Sequence, residues 1–439
     1  MFEKEEEQLK NLYDNIQVPL DSLDEAIFTG FQKASLDKMR KSRRKKWLFN
    51  MTAAAIILVG FFTTIRISPA FADYISVIPG MEKLVDLIRD DKGKMLAVEN
   101  DYYEKIGVSQ EKNGIKFTID GAIADENGLI LFYSINTKEK LKEVYTEEVE
   151  LESLDEKELG ESSAMLGTPL YSEKGKTSHS EKFEFYFQTP LEVKRFEIKV
   201  GLKVKGQKEV FTLPFELKKE IQKKKTYVLD KEVEIEGQKF TLSKVDVYPI
   251  RIAVHVKMNH PQNTKKLLYF DGIRLIDEHG ETWSKIANGF TNSGISDDEE
   301  IIYLQSNYFR EPNELYLEIN KIQAVDKDEA NVVVDTQRAQ ILKQPKGNKF
   351  IAARVEGDQI ILSMRPKKEF SYGLFNVVRD KTGEEIDITE TSISHSLEDE
   401  KVIEYGVKLP GLNAEMSPIS LELVYFPSWI EGNEKIKVK

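Results

Sequence analysis

Three features of the sequence predict a mainly β protein outside a membrane, with an α-helical N-terminal tail and one transmembrane helix. First, Trp47 to Ile65 is a run of nineteen residues without a charge. At about 1.5 Å rise per residue, a helix of that length nearly spans the roughly 30 Å of bilayer hydrocarbon. Second, from about residue 108 onward, short runs of β-branched and aromatic residues are separated by turn residues. Third, Gly-x-Lys-Phe recurs at Gly114–Phe117, Gly237–Phe240 and Gly347–Phe350, near the spacing of a small domain. The expected fold is a tandem array of immunoglobulin-like β-sandwich units of about 100 residues each.

Residues 1–46 read as a cytoplasmic helical tail. Leu9, Leu12 and Tyr13 share one face of a first short helix. After Pro19, with Asp21 or Ser22 as the cap, Leu23, Ala26, Ile27, Gly30, Phe31 and Ala34 follow the spacing of a second helix face. Residues 1–37 carry a net charge of −6, so this apolar stripe is bordered by acids. Such a stripe suits docking into a partner's groove, with Leu9, Leu12, Tyr13, Leu23, Ile27 and Phe31 as apolar contacts and Asp24 and Glu25 steering. A spacer that docks on nothing is the other reading of the same residues.

Residues 38–46 carry +7, including Arg40, Lys41, Arg43, Arg44, Lys45 and Lys46. Lys and Arg flanks stay on the cytoplasmic side, and Trp47 suits the interfacial aromatic belt. The expected topology is therefore single-pass in a cell membrane, with the N-terminus cytoplasmic and the C-terminus extracellular. Ala70-Phe71-Ala72 resembles a signal-peptide cleavage site, but 46 residues precede the apolar run, against about 15–30 for a whole signal peptide.

Residues 66–107 are expected to hold two juxtamembrane amphipathic helices. Phe71, Tyr74, Ile75 and Ile78 mark the first, Pro79-Gly80 the break, and Met81, Leu84, Val85 and Ile88 the second. They are expected to pack under the first domain. Three β-sandwich units follow, at 108–220, 226–335 and 345–439. In the first, Ile115–Ile119, Leu129–Ile135, Phe183–Phe187, Phe196–Val204 and Val210–Phe215 read as strands, and 147–176 as a long acidic loop. The sequences Ile276-Asp277-Glu278-His279-Gly280-Glu281 and Val378-Arg379-Asp380-Lys381-Thr382-Gly383-Glu384 both read as strand, acidic turn, Gly, strand, and Asp125-Glu126-Asn127-Gly128 offers the same turn chemistry in the first unit.

Composition excludes several functions. There is no cysteine, so disulfides, Cys zinc sites and a Cys nucleophile are absent. The residues beyond 46 carry −13, which argues against a direct nucleic-acid ligand. None of the five histidines has a zinc-binding spacing, and no phosphate loop or nucleophile elbow occurs. His255 is expected to face solvent, the acids 297–300 to form a solvated turn, and Tyr425, Phe426 and Trp429 to lie in a core. Neither enzyme activity nor a cofactor or metal is expected.

Ile16-Gln17-Val18-Pro19-Leu20, the segment Leu23–Ala34, the basic block, Ser68-Pro69-Ala70-Phe71-Ala72, Ile78-Pro79-Gly80 and Asp125–Tyr133 resemble a membrane-anchored family of low-GC Gram-positive bacteria. Its members are often encoded beside extracytoplasmic-function (ECF) sigma factors. The resemblance implies an anti-sigma-like negative effector whose tail holds an ECF sigma factor at the membrane. An outer ligand or protease would then release it. The tail lacks the His and Cys of a zinc-type anti-sigma domain. The rival expectation is a membrane-anchored envelope-binding protein with no signalling role.

Overall fold

The computed structural model describes residues 81–439, apart from short stretches at 168–169, 259–260, 287–291, 295–298, 368–369, 397–398 and 400. The tail, the apolar run and the helix expected at 71–78 lie outside the described residues. Among the described residues, no helix is long and apolar enough to cross a membrane.

Two helices open the described chain, α1 (Met81–Ile88) and α2 (Lys92–Glu99). The first is the one expected from the spacing of Leu84, Val85 and Ile88. The second was not anticipated, because its sequence KGKMLAVE has no apolar stripe. Asp91 caps it by accepting from the Lys94 backbone N–H at 3.1 Å.

The rest is mainly β, in several antiparallel sheets. Module one contains β1 (Glu104–Lys112), β2 (Ile115–Asp125), β3 (Gly128–Ser153), β4 (Ser162–Met165), β5 (Leu170–Phe187), β6 (Arg195–Val204) and β7 (Gln207–Glu216). The start of β3 pairs with β2 and β5, whereas its end pairs with β6, so one long strand passes from one layer to the other. Between the layers lie Phe117, Leu131, Tyr133 and Phe183 on one side and Phe196, Ile198, Phe211 and Phe215 on the other. The expected loop at 147–176 is corrected here. Most of it belongs to β3, β4 and β5, because Val149 and Leu151 alternate toward the core among the acids where β3 pairs with β6.

Module two contains β8 (Lys225–Ile235), β9 (Gln238–Val247), β10 (Arg251–Lys257), β11 (Lys265–Asp277), β12 (Thr282–Trp283), β13 (Asn292–Gly294), β14 (Glu299–Gln305) and β15 (Leu315–Asp326). Module three contains β16 (Asn331–Asp335), β17 (Gln340–Lys343), β18 (Phe350–Glu356), β19 (Gln359–Met364), β20 (Phe375–Arg379), β21 (Glu385–Ile386), β22 (Glu390–His395), β23 (Ile403–Lys408) and β24 (Ile419–Leu423). The final strand, β25 (Trp429–Lys437), does not join module three. It pairs with β15 and completes the sheet β12-β11-β15-β25 of module two. Conversely, β16 lies within the stretch expected to end module two, yet pairs with β24 of module three. The partition at 335 and 345 is therefore corrected: the two modules are interleaved along the chain.

Their strand orders nevertheless correspond. The sheet order β13-β14-β10-β9 matches β22-β23-β19-β18, and β12-β11-β15-β25 matches β21-β20-β24-β16. Each pair of sheets encloses one core. The echoed turns sit at equivalent places. Asp277 Oδ1 accepts from the His279 and Glu281 N–H groups, and Asp380 Oδ1 from those of Thr382 and Glu384. The first two Gly-x-Lys-Phe copies begin within tight hairpins in which both central residues have positive φ: Asn113 (47°) and Gly114 (76°), and Glu236 (46°) and Gly237 (75°). The third lies where the chain crosses from β17 to β18, which belong to different sheets, so its likeness to the other two is not topological.

Candidate functional site

The beginning of β3 is buried on both faces. Leu129, Leu131 and Tyr133 point into the module-one core, while Ile130 and Phe132 point the other way. That outer face is covered by the two helices. Leu84 and Ile88 of α1 and Ala97 and Val98 of α2 pack with Ile123, Ile130, Phe132, Tyr186 and the module-two residue Ile250. A separate small core therefore joins the helices to modules one and two.

A buried charge network lies at its centre. Lys94, with a side chain only 2% exposed, places Nζ 2.7 Å from Glu184 Oε1 and 3.4 Å from Asp91 Oδ2. The Tyr186 hydroxyl donates to Glu184 Oε2 at 2.5 Å. Lys182 Nζ is 3.6 Å from Glu184 Oε1 and donates to the Leu87 carbonyl at 2.9 Å, fastening the end of α1. Burial by itself would raise the Glu184 carboxyl, but the Lys94 ammonium, the Tyr186 hydroxyl and Lys182 outweigh it and hold it at about 2. Burial opposes the charge on Lys94 as well, yet Tyr186, Asp91 and Glu184 raise its pKa. Burial raises the Tyr186 hydroxyl.

Module two closes the other side. A Cβ at Gly93 would lie 2.3 Å from the Ser306 backbone nitrogen, so α2 sits directly on the chain leaving β14. The Arg251 guanidinium lies 3.7 Å from the ring centroid of Tyr186 and 3.6 Å from that of Tyr303, and its Nε donates to Asn127 Oδ1 at 2.8 Å. Asp125, fully buried, accepts from the Asn127 and Gly128 N–H groups through Oδ1 and from that of Ile250 through Oδ2, each at 2.8 Å. The turn expected from Asp125-Glu126-Asn127-Gly128 is thus also a contact between modules. Lys92 adds an ion pair to Glu281 at 2.6 Å, and Gln305 donates to the Asp90 carbonyl at 3.0 Å.

Other clusters have local roles. The Asp271 carboxylate accepts from Trp429 Nε1, from the Tyr372 hydroxyl at 3.4 Å and from Gln323 at 3.2 Å, next to the packed rings of Tyr269, Tyr372 and Tyr425. Lys285 lies over the Tyr269 ring at 3.5 Å, and burial lowers its ammonium to about 7 against the opposing pull of Asp271 and Glu300. The acids Asp326, Asp328 and Glu329 converge, but Lys265 and Lys346 already pair with Asp326 at 2.6 and 2.7 Å.

The sequence-derived binding residues, Leu9, Leu12, Tyr13, Leu23, Asp24, Glu25, Ile27 and Phe31, lie outside the described residues, as do Arg40 to Trp47. Three other expectations meet the structure. His255 does not face solvent: it is buried, with Nε2 3.2 Å from Asp246 Oδ2 and Nδ1 3.5 Å from Glu299 Oε1. The register of β9 against β10 shifts by a bulge next to His255. Glu299 and Glu300 open β14 instead of forming a turn, and Glu300 is buried. Phe426 is a core residue, whereas Tyr425 and Trp429 are half-buried between modules two and three. Sequence reasoning missed Lys94, Glu184, Tyr186 and Arg251. The one available signal was the unbroken apolar run Leu129–Tyr133, which requires cover on both faces.

Residues 41–137 match DUF4179, a domain of unknown function. Residues 224–346 match DUF5643, a family of unknown function. The chain carries both domains. The DUF4179 segment takes in the basic block from Lys41 onward, the apolar run, both helices and the chain as far as the part of β3 they cover. The DUF5643 segment takes in β8 to β17. No curated protein matches the chain. Among solved structures, the crystal structure of the conserved domain protein from Bacillus anthracis is similar, with 15% identity, 55% of this chain and 84% of that chain covered, and a TM-score of 0.37.

Proposed function

We propose that the chain is a single-pass membrane regulator. Its tail, residues 1–46, acts as an anti-sigma-like negative effector of an ECF sigma factor, and its immunoglobulin-like outer modules form a non-catalytic sensor. The supporting observation is the way α1 and α2 are built in. They follow closely in sequence after the apolar run, and a buried Lys94–Glu184 pair and a shared core fix them to modules one and two. A passive tether needs only a solvated linker. A segment whose position depends on both modules instead suits a device that passes an outer change toward the membrane. DUF4179 also occurs in anti-sigma-factor-like proteins, which agrees with this reading.

The test has two arms. Tagged residues 1–46 should retain an ECF sigma factor, and Leu23→Ala/Ile27→Ala/Phe31→Ala should release it. Deleting the tail in cells should raise transcripts that depend on that sigma factor. If the tail retains none and its deletion changes no such transcript, the regulator reading fails and the chain is an anchored envelope-binding protein.

A further inference from the structure

Beside α1, a cleft of about 360 Å³ opens on the outer face of module one. This lies within the size range of small-molecule sites. We propose that it binds a sugar unit carrying one anionic group.

The floor of the cleft is made of small hydroxyl and amide side chains. Thr118, Ser134 and Ser180 form one row across β2, β3 and β5, and Asn136 and Ser178 form the next. The Ser134 hydroxyl donates to Asp120 Oδ1 at 3.0 Å, and Asp120 lines the cleft beside it. One wall is apolar, built from Leu84 and Leu87 of α1 with Tyr103 and Phe132. A pyranose ring has the same division, with a rim of hydroxyls and an apolar face.

Two ammonium groups line the cleft, Lys83 from α1 and Lys105 from β1. Lys83 Nζ reaches across to the Ser178 hydroxyl at 2.8 Å. Among the described residues neither lysine is in an ion pair. The opposite layer of module one differs. There the exposed lysines are matched by acids, as in Lys199–Glu150 and Lys208–Glu148, both at 2.7 Å. Hydroxyls where the opposite layer carries ion pairs, with two cations against the single Asp120 carboxylate, leave one positive charge in excess and favour a neutral polyol frame bearing a carboxylate or phosphate. A ligand held by both Lys83 and Thr118–Ser134–Ser180 would bridge α1 and the sheet. Its role as the sensor's signal rests on the proposed regulator function, whereas its binding does not.

The experiment uses the full chain in a detergent without a sugar headgroup. Saturation-transfer NMR titrations employ glucuronic acid, glucose 6-phosphate and glucose, and inorganic phosphate, which has no carbon-bound proton, is titrated as a competitor. Saturable binding of at least one of the two anionic sugars, tighter than glucose and phosphate, is expected, and the preferred one identifies the anionic group. Lys83→Ala and Lys105→Ala should each weaken it about five- to tenfold. Ser134→Leu, which fills the floor, should abolish it with the thermal transition unchanged. The proposal is overturned if neither anionic sugar saturates by about 10 mM, if phosphate alone binds as well, or if the three variants bind like the parent. None of these readouts involves the tail, so failure here leaves the regulator reading standing, and the reverse.

Discussion

Replacing Lys94 with methionine should undock α2 from module one. The substitution keeps side-chain volume and removes the ammonium from a site where Glu184 is only 3% exposed. Glu184 then keeps the Tyr186 hydroxyl and the more distant Lys182, but loses its nearest cation. Its carboxyl lies at about 2 in the folded protein against an ordinary 4.5. That difference corresponds to roughly 3 kcal/mol at neutral pH, which agrees with the roughly 3–5 kcal/mol lost when one partner of a buried pair is removed. For a unit of module-one size this is a fall of about 10 °C in its thermal transition. The second variant decides the mechanism. Lys94→Met/Glu184→Gln removes both members of this pair and should recover the larger part of the loss, the remainder being the cost of the Asp91 carboxylate, which also loses Lys94. The assay is scanning calorimetry on the full chain, with hydrogen exchange over residues 91–99 to show that the loss is local. If Lys94→Met lies within 1 kcal/mol of the parent, or if the double variant is no more stable than the single one, the pair does not hold the joint.

Three further outcomes follow from the same geometry. Because folding depresses the Glu184 carboxyl, its contribution is fully present above about pH 4.5 and is lost as pH falls through about 2; acid titration followed by exchange at Ala97 and Val98 should show this loss, and Glu184→Gln should flatten it. Arg251→Ala removes a cation held between two rings and a hydrogen bond to Asn127, so it should cost roughly 2–3 kcal/mol at the boundary of modules one and two, and Arg251→Lys should recover less than half, since an ammonium cannot stack as a plane. Deleting residues 429–439 should unfold module two and not only the end of module three: β25 buries Ile430 and Ile436 against the module-two core, roughly 4 kcal/mol of apolar burial, and leaves β15 without a partner on that edge when it is gone. Limited proteolysis with fragment mapping would check the last, and an intact module two would refute the pairing.

Local chemistry determined much of this protein. The alternation of Ile115, Phe117 and Ile119, or of Phe196, Ile198, Val200 and Leu202, specifies strands because a period of two puts those side chains on one face. Asn113-Gly114, and Asp with Gly three residues later in the two matching turns, specify hairpins because few residues tolerate positive φ or cap a turn with a side-chain oxygen. Pairing across long separations was decided only by tertiary structure. Nothing near Lys94 announces a carboxylate ninety residues away, and the acids at 147–153 look like loop until the facing strand β6 covers their apolar neighbours. Likewise, β25 carries the alternation of an ordinary strand, and its pattern is equally compatible with either neighbouring sheet. Hydrophobic period tells a strand which face is buried, but not which edge will supply its partner. That choice depends on which edge is left open once the other strands have packed. In this chain the open edge at β15 belongs to module two.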